Sequence, residues 1–405
     1  MTSLLRIALT SIARLYRWRF PVPIVAITGS VGKSSTKEAI ASVLASRMRV
    51  RKSEGNLNNH LGVPLSIIGE YSERYYRQGG TVGFWAYVLL HSIWNLIANS
   101  RYPEVLVLEY GLDRPGDIEQ VARTVRPHVA VVTHIGAVPS HVEFFASPQD
   151  VAKHKRALVE HVDPQGTTVL CADDSLVLAM QSASKAQVRT FGESQNADAR
   201  VEQIETKLSG TLPLGTQCQI TLDGNTMPAY IPSVVGRGCA LAASCAVLVG
   251  GVFSIGLADA VLALSSTLPL PGRLRVLRGI KSTTLVDDTY NASPPAVSLA
   301  LETVRHIPAT RHIAVLGDML ELGEHALSSH QEVGVLASEV ADVVVAVGDR
   351  ARHIADSAKS SLPSERVLWF ATAREAARPV QELIRAGDLV LVKGQQERLL
   401  QGGDT

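Results

Sequence analysis

The chain has 405 residues, of which 46% are hydrophobic and 19% charged, and it carries a formal net charge of +1. That length allows two or three domains with cores of their own, and the balance describes an ordinary globular protein, not a disordered one. Near-neutrality excludes a protein built to grip nucleic acid, whose backbone demands a basic surplus, so any polyanion bound here is small.

The N-terminal stretch 4–20, LLRIALTSIARLYRWRF, sets Arg6, Arg14 and Arg17 near one helical face and Leu5, Leu9, Ile12 and Tyr16 largely on another. Its arginines interrupt the apolar run too early for a spanning helix, and no small-residue cleavage site follows. Residues 24–27, IVAI, then predict a short buried strand, and Thr28-Gly29-Ser30-Val31-Gly32-Lys33-Ser34 turns it into a helix. This reads as a phosphate loop. Gly29 and Gly32 leave room for backbone N–H groups to face phosphate oxygens, Lys33 reaches the outer phosphates, and Ser34 offers a hydroxyl to magnesium. Ser30 and Ser35 complete the candidate nucleotide contacts. Ile27 stands where the usual pattern has its first glycine, so the loop is a shortened variant. A glycine-rich turn that binds nothing is the alternative, disfavoured by Lys-Ser-Ser following the last glycine directly.

Residues 53–67, SEGNLNNHLGVPLSI, are a poor helix or strand but a good binding loop, with Asn56, Asn58 and Asn59 able to donate and accept. An apolar insert spans 71–102. Its core, 82–98, contains His91 and Asn95 and falls short of the roughly 20 residues a spanning helix needs. Both 4–20 and 82–98 have two open readings, an amphipathic helix packed on the protein or a peripheral membrane contact. Residues 104–111, EVLVLEYG, predict a strand carrying Glu109 near its C-terminal end, where ligands sit in open α/β sheets.

The α/β alternation continues through a strand at 128–136 and the segment 137–155 to about residue 192. Residues 200–235 alternate in a way that predicts antiparallel hairpins, and helices follow at 239–250 and 256–265. LPLPGR at 268–273 is the linker candidate. From Ile280 five strands alternate with helices, which predicts a second, mostly parallel sheet of Rossmann type. It lacks a GxGxxG fingerprint, so dinucleotide binding is disfavoured there. The fold class is therefore α/β: an N-terminal amphipathic helix (1–23), a phosphate-loop central ATPase domain (24–269) and a Rossmann-like C-terminal domain (270–405). Cys171, Cys218, Cys239 and Cys245 form no CxxC pair and no zinc spacing, which predicts reduced, buried thiols in a cytoplasmic protein.

With these residues set out, the chain resembles the Mur ligases. TGSVGKSSTKE, GNLNNHLGVPLSI, LEYGLDRPGDI, DDTYNASPPAV and LGDMLELGE match the family in order and approximate spacing, and NLNNHLGVPL with LGDMLELGE point to its D-alanyl-D-alanine-adding branch. The resemblance implies that ATP phosphorylates a substrate carboxylate and that an amine displaces phosphate to form an amide. The substrates it implies are a UDP-muramoyl-peptide and D-Ala-D-Ala, in the peptidoglycan synthesis that sustains cell shape and division. It further implies that Lys33 contacts the phosphates, that Ser34, Glu109 and His141 ligate Mg2+, and that Arg273, Asp288 and Asn291 reach the nucleotide from the linker and second domain. Asn56, Asn58, Asn59, Asp318 and Glu321 fall on the substrate side. Lys155, fourteen residues after His141, corresponds to a lysine the family carbamylates to make a metal ligand. A solvated helix lysine pairing with Glu160 or a substrate phosphate is the alternative for Lys155.

The chain departs from the family pattern in three places. The family's uridine-gripping N-terminal domain has no counterpart in the 23 residues before Ile24, leaving that grip to the apolar insert or to lipid. His134 stands for an asparagine, and GRGCALAA at 236–243 lacks a His-Asn pair, so nucleotide contacts from that helix are expected to be lost. The implied protein is a cytoplasmic monomer, with peripheral contact at the inner face of the membrane as the sharper reading. Related polyglutamate or cyanophycin-type ligases, and a non-catalytic ATP-binding membrane scaffold, remain the alternatives.

Overall fold

The computed structural model describes residues 2–55, 57–98, 101–112, 114–138 and 142–394. The chain opens with α1 (Thr2–Arg19), which docks Leu9, Ile12, Ala13 and Tyr16 on the body of the protein. Strand β1 (Ile24–Thr28) follows, all five residues buried, as a strand covered on both faces requires. Helix α2 (Lys33–Ala45) returns the chain to β2 (Val50–Lys52), and α3 (Gly62–Ile68), α4 (Ser72–Gln78) and α5 (Val82–Ala98) precede β3 (Val105–Glu109). The insert is thus two helices, α4 and α5. Helix α5 rests on the protein through Phe84, Val88 and Ser92, and Tyr16 of α1 donates a hydrogen bond of 2.7 Å to the Ser92 carbonyl. Among the described residues no helix is long and apolar enough to cross a membrane.

Helix α6 (Asp117–Thr124), β4 (Val129–Val132), α7 (Pro148–Glu160), β5 (Thr167–Cys171), α8 (Ser175–Leu178) and β6 (Gln187–Gly192) continue the alternation. Strands β7 (Ala199–Ser209), β8 (Leu212–Leu222) and β9 (Asn225–Pro232) form the expected antiparallel hairpins. All nine strands make one sheet in the order β2-β3-β1-β4-β5-β6-β7-β8-β9. The chain leaves β1 toward one edge and returns to β4 on its other side. The C-terminal end of β1 is therefore a topological switch point, the place where an open α/β sheet has a ligand crevice.

Helices α9 (Arg237–Val252) and α10 (Leu257–Leu264) cover this sheet, α9 burying an alanine-rich face against α2. Beyond the 268–273 linker the second sheet comprises β10 (Arg275–Arg278), β11 (Thr284–Asp288), β12 (His312–Gly317), β13 (Val343–Val347), β14 (Val367–Phe370) and β15 (Leu389–Lys393). Its helices are α11 (Pro294–Arg305), α12 (Ala326–Val340), α13 (Arg352–Ala358) and α14 (Ala373–Leu383). The order is β10-β11-β15-β12-β13-β14, with five parallel strands and β10 antiparallel to β11. Five alternating strands is what the sequence predicts, and β10 is the addition. Its four residues, Arg-Val-Leu-Arg, are half-buried or exposed and carry too little alternation to register as a strand. The four cysteines are free and buried, as expected.

Candidate active site

The crevice at the end of β1 is built around the phosphate loop. Gly29 and Gly32 have φ of +145° and +88°, conformations that L side chains rarely adopt. A Cβ on Gly29 would also lie 1.9 Å from Thr133 Oγ1. The loop is tethered to the strand beside it, since Ser30 N and Val31 N donate to the His134 carbonyl at 2.8 and 3.0 Å. Those two amides face a carbonyl, so the phosphate-facing positive potential comes from the N-terminus of α2 and from side chains. Asp174 fixes the supporting strand end, accepting from Ile135 N at 2.8 Å and Gly136 N at 3.1 Å, with His134 Nδ1 3.0 Å away.

Glu109, at the C-terminal end of β3, accepts a 3.0 Å hydrogen bond from Ser34 Oγ and one of 3.2 Å from Asn58 Nδ2. Lys37, one turn beyond Lys33, places Nζ 3.9 Å from the same carboxylate. Burial opposes the charge on Glu109, yet Lys33, Lys37 and Arg273 outweigh it and hold the carboxyl below its ordinary range. Arg273 arrives from the linker, donates from Nη2 to Ser34 Oγ at 3.2 Å and stacks its guanidinium 4.0 Å over the Tyr290 ring. Lys33 Nζ lies 3.4 Å from the Ser30 carbonyl of its own loop.

Lys155 is buried on α7 and donates from Nζ to the Gly29 carbonyl at 2.9 Å, so it reaches the phosphate loop itself. The alternative of a solvated lysine pairing with Glu160 is corrected here: Arg156 takes Glu160 at 2.9 Å, and Lys153 is the exposed lysine of the pair.

The second sheet supplies the opposite wall. Asp288 pairs with Lys393 Nζ at 2.5 Å and accepts from Leu274 N at 3.2 Å, while Lys393 also donates to the Asn291 carbonyl at 2.9 Å. The Asn291 side chain accepts from Ala292 N at 2.7 Å. Ser30, Ser35, Arg273, Asp288, Asn291 and Lys393 line one cleft, which Gly238 and Cys239 of α9 also border. Ser30 Oγ and Arg273 Nε are buried there with no hydrogen-bond partner among the described residues. Such orphaned donors fit an anionic ligand with several acceptor oxygens. Ser34 and Glu109 are hard oxygen ligands of the kind Mg2+ takes.

Other expected residues are held by local structure. Asn59 Oδ1 accepts from Leu61 N at 3.1 Å and Gly62 N at 3.0 Å, capping α3. Asp318 accepts from Ala351 N at 2.8 Å, ahead of α13. Glu321 sits at a left-handed φ of +61°, with its carbonyl facing Glu143 N at 3.4 Å. Asn56 and His141 lie outside the described residues, among which no group of three His, Cys, Asp or Glu gathers as a metal cluster. Lys37, Asp174, Tyr290 and Lys393 escaped the sequence reading as site residues. Lys393 carried the signal that marked Glu109, a charged residue at the C-terminal end of an apolar strand, and Lys37 the helical spacing from Lys33.

A Mur ligase middle-domain model matches residues 27–73 and 92–228, and a Mur ligase glutamate-ligase-domain model matches residues 272–396. The chain belongs to the Mur ligase family. It is 28% identical over 388 residues to the UDP-N-acetylmuramoyl-tripeptide–D-alanyl-D-alanine ligase of Bacillus subtilis, covering 95% of this chain and 76% of that one. The enzyme of the same name from Escherichia coli is 28% identical over 404 residues, covering 94% of this chain and 80% of its own. The crystal structure of MurF ligase from Thermotoga maritima in complex with ADP superposes with a TM-score of 0.79 at 25% identity, covering 98% of this chain and 82% of that chain.

Proposed function

We propose that this protein is an ATP-dependent ligase that joins D-alanyl-D-alanine to the terminal carboxylate of a UDP-N-acetylmuramoyl-tripeptide. The reading is supported by relatives bearing that name and by a structural neighbour holding ADP. The observation that carries it is the convergence of Lys33, Lys37 and Arg273 on Glu109 and Ser34, beside the orphaned Ser30 hydroxyl.

In this reading the γ-phosphoryl group of ATP lies over the N-terminus of α2, with Lys33 and Arg273 neutralising the charge that develops on its oxygens. Ser34 and Glu109 would hold Mg2+, which would supply charge neutralisation for the transferring phosphate. A carboxylate oxygen of the acceptor attacks the γ-phosphorus and ADP leaves, giving an acyl phosphate. The amine of the dipeptide then attacks the acyl carbon, inorganic phosphate departs with the C–O electron pair, and the ammonium proton passes to solvent. Arg273 and Tyr290 join the linker to the phosphate loop and so position the second sheet for the amine-bearing substrate. The setting is the cytoplasm, where ATP and nucleotide-linked precursors are available. Peripheral contact with the inner face of the membrane belongs to the same reading, supported by apolar surface on α1 and α5.

The test is incubation of the purified chain with ATP, the UDP-muramoyl-tripeptide and D-Ala-D-Ala, with products read by mass spectrometry. The pentapeptide product with one ADP per amide formed is the expected result. ATP consumption without amide, or amide formed only with L-glutamate, would reject it.

A further inference from the structure

A helix packed on a globular protein normally turns its polar face to water. Helices α1 and α5 bury one apolar stripe and expose further large apolar side chains on the other side. In α1 the buried stripe is Leu9, Ile12, Ala13 and Tyr16, while Leu4, Ile7, Leu15 and Trp18 stand on the far side at 100° per residue. In α5 Phe84, Val88 and Ser92 face inward, and Val82, Leu90, Ile93, Trp94 and Ile97 face out. These nine outward residues are from 50% exposed at Ile93 to 82% exposed at Trp18. The two helices touch, Tyr16 of α1 donating to the Ser92 carbonyl of α5.

Charge decides what covers it. Helix α1 contains Arg6, Arg14, Arg17 and Arg19 and no acidic residue, and α5 contains no Asp, Glu, Lys or Arg. Arg17 donates to the Val22 carbonyl and Arg19 lies 4.9 Å over the Phe20 ring, whereas Arg6 and Arg14 make no ion pair among the described residues. Both line a cavity of about 260 Å³ between α1, α3 and α6, together with Thr10, His60, Gln120 and Thr124, and among the described residues no carboxylate borders it. Ile7 of the outward stripe lines the same cavity, so an apolar surface runs directly into a slot of cations and neutral hydrogen-bonding groups. Outward tryptophans beside arginines suit the interfacial zone of a bilayer.

We propose that α1 and α5 are a monotopic docking surface for an anionic membrane, with a lipid phosphate headgroup seated between Arg6 and Arg14. This rests on the peripheral contact of the proposed function and adds the lipid class and its site. Apolar side chains supply the insertion, and the arginines select anionic lipid and orient the crevice relative to the bilayer.

The full chain is mixed with vesicles of phosphatidylcholine alone or with phosphatidylglycerol, and bound protein is measured by co-sedimentation. Wild type is expected to bind the anionic vesicles at least tenfold better, and salt to weaken that binding. Arg6→Gln with Arg14→Gln should abolish the preference for phosphatidylglycerol, and Trp18→Ser with Trp94→Ser should lower binding to both vesicles. ATP hydrolysis and thermal melting, followed in parallel, should be unchanged in both variants. Equal binding of both vesicle types, unaltered in the arginine variant, overturns the headgroup site while leaving a peripheral contact standing. No binding to either vesicle, or a dimer in sedimentation that the tryptophan variant dissociates, overturns the inference entirely. Amide synthesis with the soluble substrate is read separately, so failure of the ligase reading is distinguishable from failure here.

Discussion

Arg273, at the end of the linker, donates from Nη2 to the hydroxyl of Ser34 in the phosphate loop, 3.2 Å away and 239 residues earlier in the chain. One guanidinium thus ties the loop to the second sheet while stacking on Tyr290. Replacing it with alanine is expected to lower the turnover of phosphate release by about 10²-fold, the cost of losing a cation aimed at developing charge. Arg273→Lys should recover little, because an ammonium cannot donate to Ser34 and also stack flat on the ring. Steady-state kinetics with ATP varied would check this, the loss appearing mainly in kcat.

Lys33→Ala is expected to abolish ATP turnover and leave the fold intact. Lys33 is only half-buried at the loop's mouth, so its removal creates no core cavity. Phosphate release and thermal melting measured together separate the two effects, and near-normal turnover in the variant would defeat the phosphate-loop assignment.

The phosphate loop was legible because its chemistry demands contiguous residues: two glycines, a lysine and serines between an apolar strand and a helix. Glu109 and Arg273 were legible from position, a strand end and a linker, through the resemblance those segments carry. The Asp288–Lys393 pair was only half visible, since the two residues are 105 apart and meet because β11 and β15 pair in parallel. The same limit applies to α1 and α5. Periodicity tells which side chains share a face, and Leu9, Ile12 and Tyr16 do pack inward as expected. Whether the opposite face meets water or another apolar phase depends on what lies beyond it, which periodicity does not encode. Asn59 was singled out as an amide in a binding loop, but its oxygen caps α3.

Glu109→Gln should both stop phosphate release and change the response of stability to acid. The carboxyl sits below its ordinary value of 4.5 in the folded protein, so the stability it contributes is fully present above that value. It is lost as pH falls through the depressed folded value, where the unfolded chain binds the proton more readily. Urea unfolding across the acid range is expected to show a shallower decline for the glutamine variant than for wild type, and a lower stability at neutral pH because Lys37 and Lys33 lose their counter-charge. Parallel curves would mean that Glu109 is not held ionised by its neighbours.

Lys155 is expected to act as a carbamate when the site is working. An ammonium group has donors and no lone pair, so it cannot ligate Mg2+, whereas the deprotonated amine adds CO2 through its nitrogen lone pair and releases a proton to solvent, giving a carbamate with anionic oxygens. Its burial beside Gly29 puts the group next to the phosphate loop. Lys155→Ala should lose most activity and regain part of it in added short-chain carboxylate, and wild-type activity should rise with bicarbonate. A Lys155→Ala enzyme with full activity and no rescue would discard the assignment.

Transfer of a phosphoryl group to the acceptor carboxylate is tested most directly by oxygen labelling. The UDP-muramoyl-tripeptide is prepared with both oxygens of its terminal carboxylate as 18O and turned over with unlabelled ATP and D-Ala-D-Ala. The carboxylate oxygen that attacks the γ-phosphorus leaves with phosphate when the amine arrives, so each phosphate released should carry one 18O and each new amide should keep the other. Label in AMP, or unlabelled phosphate, would contradict an acyl phosphate formed at Lys33, Glu109 and Arg273.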